Sequence, residues 1–435
     1  MTPYAGRRAR LMAQMEAGGV AVIPTAPEVT RNSDCDYPYR HDSYFYYLSG
    51  FMEPDSVLVL VAAGAAGPAR SILFCRARNP ERETWDGFRH GPEGARTSFG
   101  FDSAYPIEQL DGEMAKLLVH MNGATLYYAT ASGLAAQVKL WLHDARASAS
   151  AVDLPVMLDE MRLFKDDTEQ AIMQRAATIS GHAHSRAMQH SRPGMFEYEI
   201  EAELLYAFRK NGAQAPAYTS IVAAGANACV LHYSANNAQA NDGELVLIDA
   251  GCELDGYASD ITRTYPVNGR FSGPQKTLYE LVLTAQAAAL AVLQPGQPYQ
   301  GLHAAAVQVL AQGMLDLGLL DRNRVGSVQD VIADQSYRQF YMHGTGHWLG
   351  MDVHDVGQYR DVAVDGKPSR QLQPGMVLTV EPGIYVRPAK GVPQAFWNIG
   401  IRIEDDVLVT PDGHTILSSA APKSVAEIEQ LMQIR

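Results

Sequence analysis

Five ionisable side chains in the C-terminal half, Asp249, Asp260, His347, Glu381 and Glu404, stand inside short apolar runs that otherwise read as ordinary strand. The runs are LVLIDAG (245–251), GYASDITRTY (256–265), HGTGHWLG (343–350), MVLTVEPGIYV (376–386) and IGIRIEDDVLV (399–409). A charge inside such a run is costly unless something compensates it. Taken singly, each acid reads more simply as a strand end satisfied by backbone donors or an arginine, and Glu404, followed by Asp405 and Asp406, as the start of a solvated turn. Five candidates in similar apolar settings call for a common explanation, and one shared site supplies it.

Part of the geometry follows from the spacing. Asp249 and Asp260 flank an ELDG turn; with Leu254 and Asp255 as its two loop residues, position 249 pairs with 260 across the hairpin and both carboxylates leave the same face. A bulge at Gly256 would send them to opposite faces; the even register is the expectation. Four carboxylates gathered near one point resist ionising together, and two divalent cations would remove that conflict. Oxygen-dominated ligation with one imidazole points to Mn²⁺ first, with Co²⁺, Mg²⁺ or Zn²⁺ as alternatives, and away from a structural zinc site. Two such ions about 3.5 to 4 Å apart share bridging carboxylates, lower the pKa of a bridging water and polarise a carbonyl or phosphoryl oxygen.

The runs LIDAG, GYASDITRTYPV, HGTGHWLGMDVHDVG, PGMVLTVEPGIY and RIEDD, in this order, resemble those of the pita-bread metallopeptidase family that includes aminopeptidase P, prolidase and methionine aminopeptidase. The N-terminal segment RNSDCDYPYRHDSYFYYLSGF (31–51) is similar to that of the bacterial aminopeptidase P branch. The resemblance implies a dinuclear manganese centre in which Asp249 holds one ion, His347 and Glu381 hold the other, and Asp260 with Glu404 bridge the pair. Glu381 would also assist the nucleophilic hydroxide. Spacing alone does not choose His347 over His343, because residues four apart lie on one side of a strand or a helix; the resemblance makes that choice.

It further implies cleavage of the N-terminal residue from peptides with proline second. The bond before proline is a tertiary amide without an N–H and its ring fixes the backbone, so a dedicated pocket is required. His232 (VLHYSANN) and His354 (MDVHDVG) match positions that contact substrate at the scissile carbonyl or the leaving proline nitrogen; the alternative is that they orient ligands. His343 matches a further histidine near the site. Arg402, two residues before Glu404, is suited to pair with an acid of the cluster. Trp85, in RETWDGFRHGP, which reads as a charged loop, matches an aromatic that stacks on substrate from a neighbouring subunit, and Asp34 is expected to reach across an interface likewise; local packing is an equal reading of the tryptophan. His41, His90, His120, His143, His182, His184, His190, His303 and His414 lack such context and read as ordinary. No substrate arginine is placed in the irregular stretch 358–373.

With 435 residues the chain exceeds one typical domain. Residues 1–160 alternate strands (GVAVIPT, SYFYYLSGF, SVLVLVAA, SILFCRA, TLYYAT) with helices near Pro3–Glu16, Pro106–Met121 and Ala131–Ala147. They read as an α/β domain around a mixed sheet, serving substrate access and oligomerisation. A connection near Leu154–Asp167 leads into a helix capped by Asp166 or Asp167. Residues 161–435 read as an α+β pita-bread catalytic domain of two pseudo-symmetric halves: helices near Thr168–Ser191 and Phe196–Asn211 then strands, and helices near Pro274–Leu293 and Tyr299–Leu317 then strands. A net charge of −13 argues against nucleic acid and anionic membranes as partners. Four irregular cysteines, with Cys252 as a small buried hydrophobe, and no apolar leader or spanning run point to the cytoplasm. The family resemblance implies a homo-oligomer, dimer or tetramer.

Prolidase, which takes Xaa-Pro dipeptides, carries nearly the same metal signature and is the alternative enzyme. A metal-free creatinase-like hydrolase, or a non-catalytic peptidase-like binding module, would have lost ligands that this chain keeps. Phosphate chemistry lacks a G-x-x-x-x-G-K-[ST] loop.

Overall fold

The computed structural model describes residues 2–65, 67–119 and 125–433, and the chain divides into two compact units, Met1–Met161 and Arg162–Arg435. In the first unit the aliphatic runs VAVIP and VLVLV are buried along nearly their whole length, as the centre of a sheet requires. They are neighbours in a six-stranded sheet ordered Ser103–Pro106, Arg70–Cys75, Val57–Val61, Val20–Pro24, Leu126–Tyr128, Ala151–Asp153. The two central pairings are antiparallel and the outer three parallel, the mixed sheet expected from the sequence. Helices Leu110–Val119 and Leu134–Asp144 pack Met114, Leu118, Val138 and Trp141 on it, and the Trp141 indole N–H donates to Asp111 Oδ1 at 2.6 Å.

Three local expectations in this region fail. Ser43–Ser49 is a helix, not a strand: the Asp42 carboxylate caps it by accepting from Phe45 N at 2.9 Å, and an all-round buried aromatic run satisfies a short core helix as well as a strand. The connection 154–167 contains the helix Pro155–Leu163. Trp85 stands on the short helix Pro80–Asp86 rather than in a loop. Helices Pro80–Asp86 and Gly91–Phe99 have no counterpart in the sequence reading. The end of the helix expected to reach Met121, and with it His120, lies outside the described residues.

The second unit is an α+β pita-bread domain. Helices Asp167–His190 and Glu197–Lys210 precede an antiparallel sheet of Ile221–Ala224, Leu245–Asp249 and Thr262–Pro266. Helices Gly273–Val292 and Gln300–Asp316 precede a second, of Val377–Val380, Asp405–Thr410 and Gly413–Ile416, and a two-stranded ribbon of Gly383–Val386 and Ile399–Arg402. Each helix lies within a residue of its expected bounds, and two of them start at a side-chain capping box, at Asp166 and Ser272. Asp166 Oδ1 accepts from Thr168 N and Glu169 N at 3.0 Å while Glu169 returns the bond to Asp166 N, a full capping box.

Each half contains one long antiparallel ribbon that breaks in the middle and resumes in the same register. In the first, Leu245–Asp249 pairs with Thr262–Pro266 and Cys252–Leu254 with Tyr257–Ala258. In the second, Val377–Val380 pairs with Asp405–Thr410 and Gly383–Val386 with Ile399–Arg402. Asp249 and Asp260 flank one break, Glu381 and Glu404 the other. Regular pairing is interrupted there, so the side chains at these positions can converge.

Two register details correct the sequence reading. The hairpin loop is Asp255–Gly256, with φ of 50° and 78°, because a two-residue turn with both angles positive suits aspartate and glycine and penalises Leu254. Asp249 therefore faces Thr262 rather than Asp260. The displacement is two residues, which preserves the face. The segment 343–350 is not a strand: it runs beside Val377–Val380, exchanging the bonds Thr379 N to His347 O (2.9 Å) and Glu381 N to Thr345 O (2.8 Å). It approaches so closely that a Cβ on Gly346 would stand 2.0 Å from Thr379 O.

Candidate active site

His232, Asp249, Asp260, His343, His347, His354, Glu381, Arg402 and Glu404 all line one cleft of about 450 Å³ in the second unit. Nine of the eleven residues singled out from sequence thus converge. The other two, Trp85 and Asp34, belong to the first unit: Trp85 is 84% exposed, and Asp34 sits in the turn of a small hairpin with its N–H donating to Asn32 Oδ1 at 3.1 Å.

Asp260, His347 and Glu404 form the tightest group, with one ligand atom of each lying within 4.8 Å of the others. Asp260 Oδ2 is 3.3 Å from His347 Nε2, and Glu381 Oε1 is 3.8 Å from the same nitrogen. The His347 Nδ1–H donates to Trp348 O at 2.9 Å, which turns Nε2 toward the acids, the arrangement a metal-ligating imidazole needs. On the other flank Asp249 Oδ1 and Asp260 Oδ1 lie 2.6 and 2.5 Å from the Tyr218 hydroxyl. Arg402 reaches Asp249 Oδ2 at 2.5 Å and Tyr385 Oη at 2.9 Å. Arg402 therefore pairs with an acid of the cluster as expected, and that acid comes from the opposite half.

Electrostatics expose the conflict that cations would resolve. Burial, with Asp260, Glu381 and Asp249 close by, drives the Glu404 carboxyl well above the carboxylate range. Burial likewise lifts Glu381 to about 7, opposed by His347 and Arg402. His347 moves the other way for a buried imidazole: burial disfavours its charge, but the bond to Asp260 and the nearby acids carry it to about 9. Tyr218 has one proton and two carboxylate oxygens at hydrogen-bond distance, so one contact is satisfied only by a proton on a carboxyl or by a cation. Four acids and one correctly turned imidazole fit a pair of oxygen-preferring divalent ions.

Further groups secure the site, and sequence gave little sign of them. Thr262 Oγ1 donates to Glu404 Oε2 at 2.6 Å, and Asp406 accepts from Asp260 N at 3.1 and 3.2 Å. Tyr385 Oη lies 2.8 Å from His343 Nε2, while His343 Nδ1–H donates to Gly344 O at 2.7 Å. Burial beside Arg402 holds that imidazole neutral, near 3. His354 stacks on His347 with ring centroids 3.9 Å apart. Two histidines read as ordinary in fact touch the site's framework: His184 Nε2 donates to Ala250 O at 2.9 Å, and His303 Nδ1 lies 2.9 Å from Thr345 Oγ1. Cys252 is fully buried, as its small apolar reading required.

Two family models match this chain: metallopeptidase family M24 over residues 171–411 and the aminopeptidase P N-terminal domain over residues 4–127. The chain belongs to metallopeptidase family M24. Among its relatives, the Xaa-Pro aminopeptidase of Haemophilus influenzae is 45% identical over 98% of this chain and 96% of that one. The Xaa-Pro aminopeptidase of Escherichia coli is 42% identical over the same shares. The solved structure of Pseudomonas aeruginosa aminopeptidase PepP superposes with a TM-score of 0.93 at 49% identity, covering 99% of this chain and 97% of that one. Escherichia coli aminopeptidase P with the inhibitor Pro-Leu does so at 0.93 and 42%, covering 99% and 98%.

Proposed function

We propose that this enzyme removes the N-terminal residue from peptides whose second residue is proline, with two divalent cations held by Asp249, Asp260, His347, Glu381 and Glu404. The observation that carries the reading is Asp260 standing between two sets of groups: Oδ1 beside Tyr218 and Asp249, Oδ2 beside His347. That is the posture of a bridging ligand. Asp249 would hold one ion, His347 and Glu381 the other, and Asp260 and Glu404 would be shared by both. When bound, the cations supply Lewis acidity toward the scissile carbonyl and lower the pKa of water in the cleft.

The protein's own groups do the rest. Glu381 takes the proton of the attacking water at a carboxylate oxygen and carries it toward the proline nitrogen, which must be protonated to leave. Asp249 and Asp260 attract the substrate's free ammonium. Arg402, fixed by Asp249 and Tyr385, keeps Asp249 in place. His354 borders substrate space while its ring steadies His347, and His232 stands at the exposed rim, where it meets the carbonyl or the leaving nitrogen. His343, held through Nδ1 by Gly344 O and through Nε2 by the Tyr385 hydroxyl, is proposed to border bound substrate.

Mn²⁺ is the proposed ion, on the oxygen-rich donor set. Trp85 and Asp34 are proposed to complete the cleft of a neighbouring copy in a homodimer or homotetramer, a role consistent with the exposure of the indole. Residues 1–160 are proposed to govern substrate access and assembly, and residues 161–435 to carry catalysis. A cytoplasmic location agrees with Cys35, Cys75, Cys229 and Cys252 all being free thiols; no helix among the described residues is long and apolar enough to cross a membrane.

Incubation with an Arg-Pro-Pro tripeptide and a Gly-Pro dipeptide tests the reading. Release of arginine from the tripeptide supports it; turnover of the dipeptide alone would transfer the assignment to a prolidase.

A further inference from the structure

A second cavity of about 320 Å³ lies behind one wall of the cleft and has no part in the mechanism above. Leu231 lines both spaces. Met342 lines the cavity and its chain neighbour His343 the cleft, and the Tyr385 ring that walls the cavity sends its hydroxyl to His343 and Arg402. The surfaces contributed by Leu231, Phe340 and Met342 are apolar. So is that of Cys229, because burial pushes its thiol up to about 11 and keeps it neutral.

Against these walls stands one charge. Arg387 is the only charged residue lining the cavity among the described residues. Its guanidinium donates to Cys229 O at 2.5 Å and meets no carboxylate among the described residues. Arg387 is exposed, and its guanidinium presents five donors in a planar fork suited to a carboxylate, of which Cys229 O takes one. We infer that this cavity is a subsite for a substrate carboxylate on a short apolar stem, received by Arg387.

The inference rests on the peptidase reading, which supplies a peptide anchored at the carboxylate cluster. Two carboxylates of such a peptide have the right chemistry: a glutamate side chain at the first position, and the free C-terminus. Leu231 borders both the cleft that anchors the ammonium and this cavity, which favours the first residue's side chain.

The test compares Glu-Pro-Ala-amide with Gln-Pro-Ala-amide, and Ala-Pro-Ala with its amide, in the parent enzyme, Arg387→Met and Arg387→Glu. An exposed or half-exposed charge pair contributes little, so the expected preference for Glu over Gln in kcat/KM is about three- to fivefold. It should fall to about one in Arg387→Met and invert in Arg387→Glu. If instead Arg387→Met erases a preference for free Ala-Pro-Ala over its amide, the carboxylate received is the C-terminal one and the subsite stands. Ratios that are the same in all three proteins overturn it. Calorimetric binding of the same peptides reads these ratios without turnover. Charge-selective binding by a protein that cleaves no Xaa-Pro bond would therefore sink the peptidase reading and leave the cavity's role intact.

Discussion

Asp260 and His347 come from opposite halves of the catalytic unit, and their side chains meet with Oδ2 3.3 Å from Nε2. Neither residue has a local reason to be where it is. Asp260 sits in the break of the first ribbon, and His347 is carried by a loop pressed against the second. Their meeting joins the two halves at one set of ligands, and in the absence of ions a proton on His347 does part of the work a cation would do.

Asp260→Ala removes the group shared by both flanks of the site. Turnover should fall by more than about a hundredfold, beyond the 10- to 100-fold typical of residues that only orient ligands. Far-ultraviolet circular dichroism should stay at the parent's, because the change removes a charge the fold does not need. Substantial residual activity would contradict the bridging role.

Tyr218→Phe deletes the hydroxyl placed between Asp249 and Asp260 while keeping the ring. Metal affinity, read by competition with a chromophoric chelator, should drop by about 10- to 100-fold. An unchanged affinity would mean the hydroxyl does not orient these ligands.

His184 gives a pH dependence that owes nothing to catalysis. Burial holds its imidazole to about 4, well below the ordinary 6.5, and Nδ1 has no partner among the described residues. Between those values the unfolded chain binds a proton that the folded chain refuses. Stability therefore rises with pH through this window and is lost on acidification, by up to about 3 kcal/mol. In chelator-treated protein, His184→Gln should show a shallower loss of stability than the parent between pH 6.5 and 4. Parallel denaturation midpoints across that range would refute the assignment.

How much of this was legible in the sequence depended on whether the signal was local. The helix bounds in the catalytic unit were, because Asp166 and Ser272 announce their helices with capping boxes. The ligand acids stood out because apolar neighbours on both sides made each charge conspicuous. The hairpin register was missed by two because the choice between Leu254–Asp255 and Asp255–Gly256 turned on which residues accept positive φ. The aromatic run 43–49 suits strand and core helix alike until burial decides. Tyr218, Thr262 and Tyr385 were invisible for another reason: a polar residue in or near a strand is unremarkable until its partner, tens to hundreds of positions away, is known; Asp406, which read as part of a solvated turn, is buried in the strand Asp405–Thr410.

Five side chains from two ribbons and one loop are proposed to hold a pair of ions on which hydrolysis depends. The most direct test is to strip the enzyme with chelator and titrate it with Mn²⁺, following Arg-Pro-Pro cleavage and bound metal together. Activity should vanish on stripping and return as two ions bind per chain. Cleavage that survives complete removal of metal, or that saturates with no ion bound to the site of Asp260, would contradict the account.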